Sequence, residues 1–265
     1  MAAPESHRVA VNGVELYYEV QGEGLPLLML HGGVNPSDFF GEPLERMAES
    51  HKVYAVHLRG HGFSTDTDEP WTYEQMADDV AALLGELGIE KIDVMGWSTG
   101  GGVALQTAIR HPELVDKLIV ISMNFRADGN FPEIQAEFAA MPEKAPEYAA
   151  GVEKSPLAEM YPDIDWEVMF RKTGEMNQGS YDWSADVAEI ASPTLLIFSD
   201  ADMMHPEHMV EFYKLLGGGT GDAGIDGSKR PTPNQMAIIP GTTHYNLMLT
   251  ATTSATDYAK AFLAQ

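Results

Sequence analysis

Lys91-Ile92-Asp93-Val94-Met95-Gly96-Trp97-Ser98-Thr99-Gly100-Gly101-Gly102-Val103-Ala104-Leu105 is the stretch that decides the fold. A short apolar run ends in Gly-x-Ser-x-Gly and passes at once into small and apolar residues, an order that predicts strand, tight turn and helix. On so sharp a bend the serine is held at a strained backbone geometry with its hydroxyl exposed. Side chains two positions to either side would collide there, and Gly96 and Gly100 remove them. A pentapeptide of common residues carries little weight alone. The neighbouring segments have to supply the meaning of Ser98.

Upstream, His7 to Val11 and Val14 to Val20 alternate apolar and polar residues across Asn12-Gly13, which predicts an antiparallel hairpin. Leu25 to Leu30 and Lys52 to Leu58 are nearly continuous apolar runs, the pattern of strands buried on both faces. The first ends at His31-Gly32-Gly33 and the second at Arg59-Gly60-His61-Gly62. From Thr72, with Gln75 three residues on as a capping box, Met76, Val80, Leu83, Leu84 and Leu87 recur at helical spacing up to Gly88.

Downstream, a helix reaches about Arg110 and Lys117 to Met123 reads as another buried strand. Alternation then stops between Asn124 and Ala191, a segment rich in Phe, Tyr, Trp and Met, and it resumes with the strand Pro193 to Ser199. A helix through Val210 to Leu216, a Gly-rich polar stretch at 217–233, the strand Gln235 to Pro240 and a closing helix complete the chain. The expected fold is α/β: a mostly parallel sheet of about eight strands, opened by the hairpin and covered by helices on both faces. Residues 1–123 and 192–265 form its core, and 124–191 form an inserted helical cap whose large apolar side chains partly line a pocket.

Composition narrows the function. Sixteen Lys plus Arg against forty Asp plus Glu give a formal charge of −24, which repels nucleic acid and anionic lipid. The absence of cysteine removes thiolate chemistry and disulfides. Met1 to Arg8 is polar, unlike the start of a signal peptide, and no stretch is apolar enough to span a bilayer, so a cytoplasmic protein is expected. Gly217-Gly218-Gly219 follows a helix rather than a strand, against a phosphate loop, and His205-Pro206-Glu207-His208 lacks a recognised metal-ligand spacing.

Ser98, Asp202 and His244 all fall at the carboxyl ends of predicted strands, where ligands bind in open parallel sheets. A serine hydroxyl needs a base, histidine has the pKa to accept and return its proton, and a carboxylate fixes the histidine tautomer. In this order, on an elbow, they resemble the serine-esterase-like members of the α/β-hydrolase superfamily. His31-Gly32-Gly33 is similar to that family's oxyanion turn, and Leu58-Arg59-Gly60-His61-Gly62-Phe63-Ser64 to its Arg-Gly loop. Pro193 to Ile197 with Asp200-Ala201-Asp202 is similar to the acid segment, and Pro240-Gly241-Thr242-Thr243-His244 to the histidine loop.

The resemblance implies an oxyanion hole of the Gly33 and Thr99 backbone N–H groups, no cofactor, no metal, and an apolar small-molecule ester or lactone as substrate. Amide or carbon–carbon hydrolysis, perhydrolysis, acyl transfer and a non-catalytic binding role are the alternatives on the same fold. Dehalogenase and epoxide-hydrolase relatives carry a carboxylate where this elbow has serine. The resemblance places the acid later in the Asp-x-Asp pair, at Asp202, leaving Asp200 to cap the next helix. Two departures stand out: His57 where relatives commonly have aspartate, expected to be structural, and the 217–233 loop, able to shift His244.

Overall fold

The structure, a computed structural model, describes residues 3–34, 40–230, 232–250 and 252–265. Strands β1 (Glu5–Val11) and β2 (Val14–Gln21) pair antiparallel across Asn12-Gly13, both at positive φ as a two-residue turn of this hand requires. There follow β3 (Leu25–Leu30), α1 (Glu42–Ala48), β4 (His51–Val56), α2 (Tyr73–Glu86), β5 (Ile92–Trp97), α3 (Thr99–Arg110) and β6 (Val115–Ile121). Helices α4 (Pro132–Val152), α5 (Pro156–Met160), α6 (Trp166–Asn177) and α7 (Ser184–Val187) join β6 to β7 (Thr194–Ala201). The chain closes with α8 (Pro206–Leu215), β8 (Gln235–Thr243), α9 (Leu247–Thr250) and α10 (Thr252–Leu263).

The eight strands form one sheet in the order β1-β2-β4-β3-β5-β6-β7-β8, parallel from β4 onward. Because the chain goes from β3 outward to β4 and then returns to β5 on the other side of β3, the order reverses between β3 and β5. Their carboxyl ends therefore diverge into a crevice, which is where such sheets bind ligands.

The continuous apolar runs follow from helices on both faces. Leu28, Leu30, Val94, Leu118, Val120 and Leu196 pack with α2, α3 and α8, while their alternates Leu27, Met29, Met95, Ile119, Leu195 and Ile197 pack with α1 and α10. In α2 the stripe Met76, Val80, Leu83 and Leu84 is fully buried, worth about 1.5–3 kcal/mol per large side chain. Thr72 caps that helix by accepting from the Gln75 N–H at 3.0 Å, but the expected capping box is only half formed, because the Gln75 side chain donates to Glu69 at 3.0 Å instead of returning to Thr72.

Several elements differ from the sequence reading. Helix α1 has no counterpart in it. The helix after Asp202 starts at Pro206, and β8 runs on to Thr243. Helix α4 continues through Pro142 and Pro146; its packing against α6, where Gly174 lies under Pro142 and Met141, compensates the lost backbone hydrogen bonds.

The 217–233 loop does not displace β8. Asn234 donates to the Leu216 carbonyl at 2.6 Å, where the loop begins, and accepts from the Thr194 N–H at 2.7 Å, so one side chain ties both ends to β7.

Candidate active site

Ser98 follows β5 directly, at φ 53° and ψ −121°, in the left-handed region that a side-chain-bearing residue avoids. The bend is held by the Ser98 N–H donating to the Ile121 carbonyl at 2.9 Å and by the Gly102 N–H donating to the Ser98 carbonyl at 3.1 Å. A Cβ on Gly96 would land on the Gly100 carbonyl, and one on Gly100 on the Leu30 carbonyl, which is why neither position tolerates a side chain. Gly101 and Gly102 let α3 approach Met123 and Tyr73 closely.

His244 stands immediately beyond β8. Its Nε2 lies 2.9 Å from Ser98 Oγ and its Nδ1 2.9 Å from Asp202 Oδ1. An ionised Asp202 only accepts, so Nδ1 carries the proton and Nε2 is free to accept from the serine hydroxyl. Asp202 is buried; Ser122 Oγ at 2.6 Å and the Ser199 N–H at 3.0 Å donate to its second oxygen, and the Met203 N–H donates at 2.8 Å to its first. Burial alone would raise this carboxyl, but the bonds from His244, Ser122 and Ser199 outweigh it and hold the group below its ordinary value.

Asp200 does something else. Its carboxylate accepts from the Gly241 N–H at 2.9 Å and the Thr242 N–H at 3.0 Å, anchoring the loop that presents His244. The helix-capping role expected for it falls away, since His205 is the N-cap of α8 and makes no side-chain cap bond.

Thr99 is the first residue of α3, so its N–H has no partner within the helix. The Gly32–Gly33 peptide is oriented through His31. Leu58 N–H donates to His31 Nε2 at 3.0 Å, leaving Nδ1 to donate to the Gly32 carbonyl at 2.7 Å. In a planar trans peptide the Gly33 N–H then points opposite to that held carbonyl. Burial, with the nearby His61 and His57, drives His31 well below the ordinary histidine range, which keeps the ring neutral and Nε2 an acceptor.

His57 is buried, and its Nδ1 accepts from the Phe63 N–H at 3.0 Å, which shapes the Arg-Gly loop. Arg59 in that loop makes a buried two-pronged pair with Asp79, at 2.7 and 2.8 Å. The sequence did hold a signal for it, because Asp79 interrupts the apolar face of α2 beside Met76 and Val80. Ser122, held at φ 48°, had no such signal; its role depends on a contact 80 residues away.

Ser98 and His244 open into a cavity of about 300 Å³ with Gly33, Thr99, Met123 and Met204 on its wall. From the helices between β6 and β7 come Phe138, Met141, Phe170 and Thr173. Phe125, Tyr161, Trp166, Met169 and Trp183 of the same segment are buried in the core instead. A larger cavity of about 510 Å³ lies elsewhere, against Asp66, Trp71 and Lys172; it holds no serine–histidine pair, and Lys172 there is tied to Asp66 at 2.8 Å.

Residues 27–260 match the alpha/beta hydrolase family. The chain belongs to that family. A soluble epoxide hydrolase from Corynebacterium sp. (strain C12) is 33% identical over 132 residues, 48% of this chain and 45% of that protein. A 2-hydroxymuconate semialdehyde hydrolase from Pseudomonas sp. (strain CF600) is 34% identical over 124 residues, 45% of this chain and 44% of that protein. The matches thus span under half the length of these curated relatives. Among solved structures, the enol-lactonase from Burkholderia xenovorans LB400 gives a TM-score of 0.78 at 20% identity, covering 98% of this chain and 100% of that one. That likeness is one of fold. Among the described residues of this alpha/beta hydrolase, no helix is long and apolar enough to cross a membrane, and no cluster of three His, Cys, Asp or Glu is arranged to hold a metal.

Proposed function

We propose that this chain is a serine hydrolase that cleaves a carboxylic ester or lactone bearing an apolar acyl or alcohol group. The observation that carries the reading is the hydrogen-bonded series Ser98–His244–Asp202 at the mouth of a largely apolar cavity. Ser98 Oγ attacks the carbonyl carbon while His244 Nε2 takes its proton, and Asp202 stabilises the resulting imidazolium. The Gly33 and Thr99 N–H groups receive the developing oxyanion, each worth about 3–4 kcal/mol to the transition state. His244 then returns the proton to the leaving alkoxide, and water repeats the sequence on the acyl-enzyme.

The epoxide hydrolase relative raises ring opening as an alternative, but the elbow here presents a hydroxyl rather than a carboxylate. The Pseudomonas relative supports a second reading, the same serine acting on a 2-hydroxymuconate semialdehyde. A substrate panel of p-nitrophenyl esters, lactones and that semialdehyde decides between them, read with Ser98→Ala as control. Ester or lactone turnover that falls at least about 1,000-fold in the folded variant supports the first reading. Near wild-type ester turnover by Ser98→Ala contradicts it, and turnover of the semialdehyde alone favours the second.

A further inference from the structure

An apolar acyl or alcohol group leaves open whether the substrate also carries a charged end, and the cavity bears on that. Among the described residues, every side chain on its wall apart from His244 is uncharged, and the polar ones are amides, hydroxyls and the Trp97 indole. His244 is committed to Asp202, so a carboxylate stands directly behind the one basic side chain among the described wall residues. An anionic group inside would meet that carboxylate and find no cation to replace its water.

The cations closest in sequence are turned away or engaged. On α6, Phe170, Thr173 and Asn177 recur at helical spacing and face the cavity. Arg171 instead pairs with Glu175 at 3.0 Å, and buried Lys172 with Asp66 at 2.8 Å on the far side of the helix. Arg126, beyond the wall residue Asn124, is held by Glu211 and Asp128. None of the undescribed residues is a lysine or arginine. The formal charge of −24 adds long-range repulsion of anions.

We propose that the part of the substrate entering this cavity is electrically neutral, and that acyl or alcohol groups carrying a carboxylate are excluded, which also counts against the semialdehyde reading because that compound is a carboxylate. This rests on the assignment of Ser98 as nucleophile, because it concerns what reaches that serine. Burying a carboxylate without a partner costs enough to suppress binding by orders of magnitude.

The test compares two fluorophosphonates of equal chain length, one ending in hexyl and the other in 5-carboxypentyl. The rate of Ser98 labelling is followed by intact mass and peptide mapping in 0.5 M salt, which screens the protein's overall charge. The hexyl reagent is expected to label at least about 100-fold faster. In Met141→Lys, which adds a cation to the wall, the carboxylate reagent should gain at least about 10-fold over wild type. Equal rates in the wild type, or no gain in a folded Met141→Lys, overturn the inference while leaving the nucleophile in place. If neither reagent labels Ser98 in the folded protein, the nucleophile assignment itself fails and this inference goes with it.

Discussion

At the scale of single residues, two aspartates two positions apart divide the work. Asp202 faces His244 Nδ1, whereas Asp200 holds the backbone of Gly241 and Thr242 and so positions the loop that carries the histidine. Replacing Asp202 by Asn presents an amide that no longer fixes the histidine tautomer, and kcat for ester cleavage should fall by about 10⁴. Asp200→Asn loses part of an anchor two bonds from the chemistry and should cost about 10-fold. Steady-state kinetics of the two variants on one p-nitrophenyl ester check this, and the reverse ranking would exchange their roles. The resemblance already pointed to Asp202 as the partner of His244, but the anchoring role of Asp200 was not visible in the sequence. It depends on contacts across to β8, where the β7–β8 register shifts between Ser199 and Ala201 and Asp200 meets the Gly241 and Thr242 N–H groups 41 and 42 residues on.

At the scale of the element, the elbow is a steric construction whose glycines are not equivalent to those on helix surfaces. Gly96→Ala drives a methyl into the Gly100 carbonyl and should destabilise by at least about 3 kcal/mol or prevent folding. Gly85 lies exposed on α2, and a Cβ there meets nothing within 4 Å, so Gly85→Ala should stabilise by roughly 0.5–1 kcal/mol. Urea melts of both variants read the contrast directly. Strand, elbow and helix were legible here because strong local chemistry agrees with the tertiary structure. Helix α4 was not, since Pro142 and Pro146 argue locally against a helix and only the contact of α4 with α6 overrules them. His57 was expected to be structural, and it is buried with its Nδ1 accepting from the Phe63 N–H.

For the whole molecule, the buried histidines make stability depend on pH. Burial pushes His57 down to about 3, with His61 and Arg8 adding to it, and drives His61 and His208 to about 4, against the Arg59 carbonyl and Asp66 beside His61 and Glu211 and Asp128 beside His208. In the unfolded chain the same side chains titrate near ~6.5. Their folded values are lower, so their contribution is full above that value and is lost as pH falls from there toward about 4, on the order of a few kcal/mol each. Asp202, also depressed, adds a loss in the same direction at lower pH. Urea midpoints should therefore hold steady between pH 7 and 8 and drop steeply between pH 6.5 and 4.5, before most surface carboxylates titrate. A midpoint unchanged from pH 7 to pH 5 would contradict the neutral state assigned to these rings. The same neutrality keeps His31 Nε2 an acceptor, so the His31–Gly33 turn should stay oriented over this interval in whatever fraction of the protein remains folded.

The proposed chemistry depends on Ser98 being an activated nucleophile. Treatment with an alkyl fluorophosphonate, followed by intact mass and peptide mapping, measures this directly. One adduct per chain, on Ser98, formed rapidly by the wild type and abolished in folded His244→Ala, is the predicted result. No adduct, or one on another residue while the protein remains folded, would contradict it.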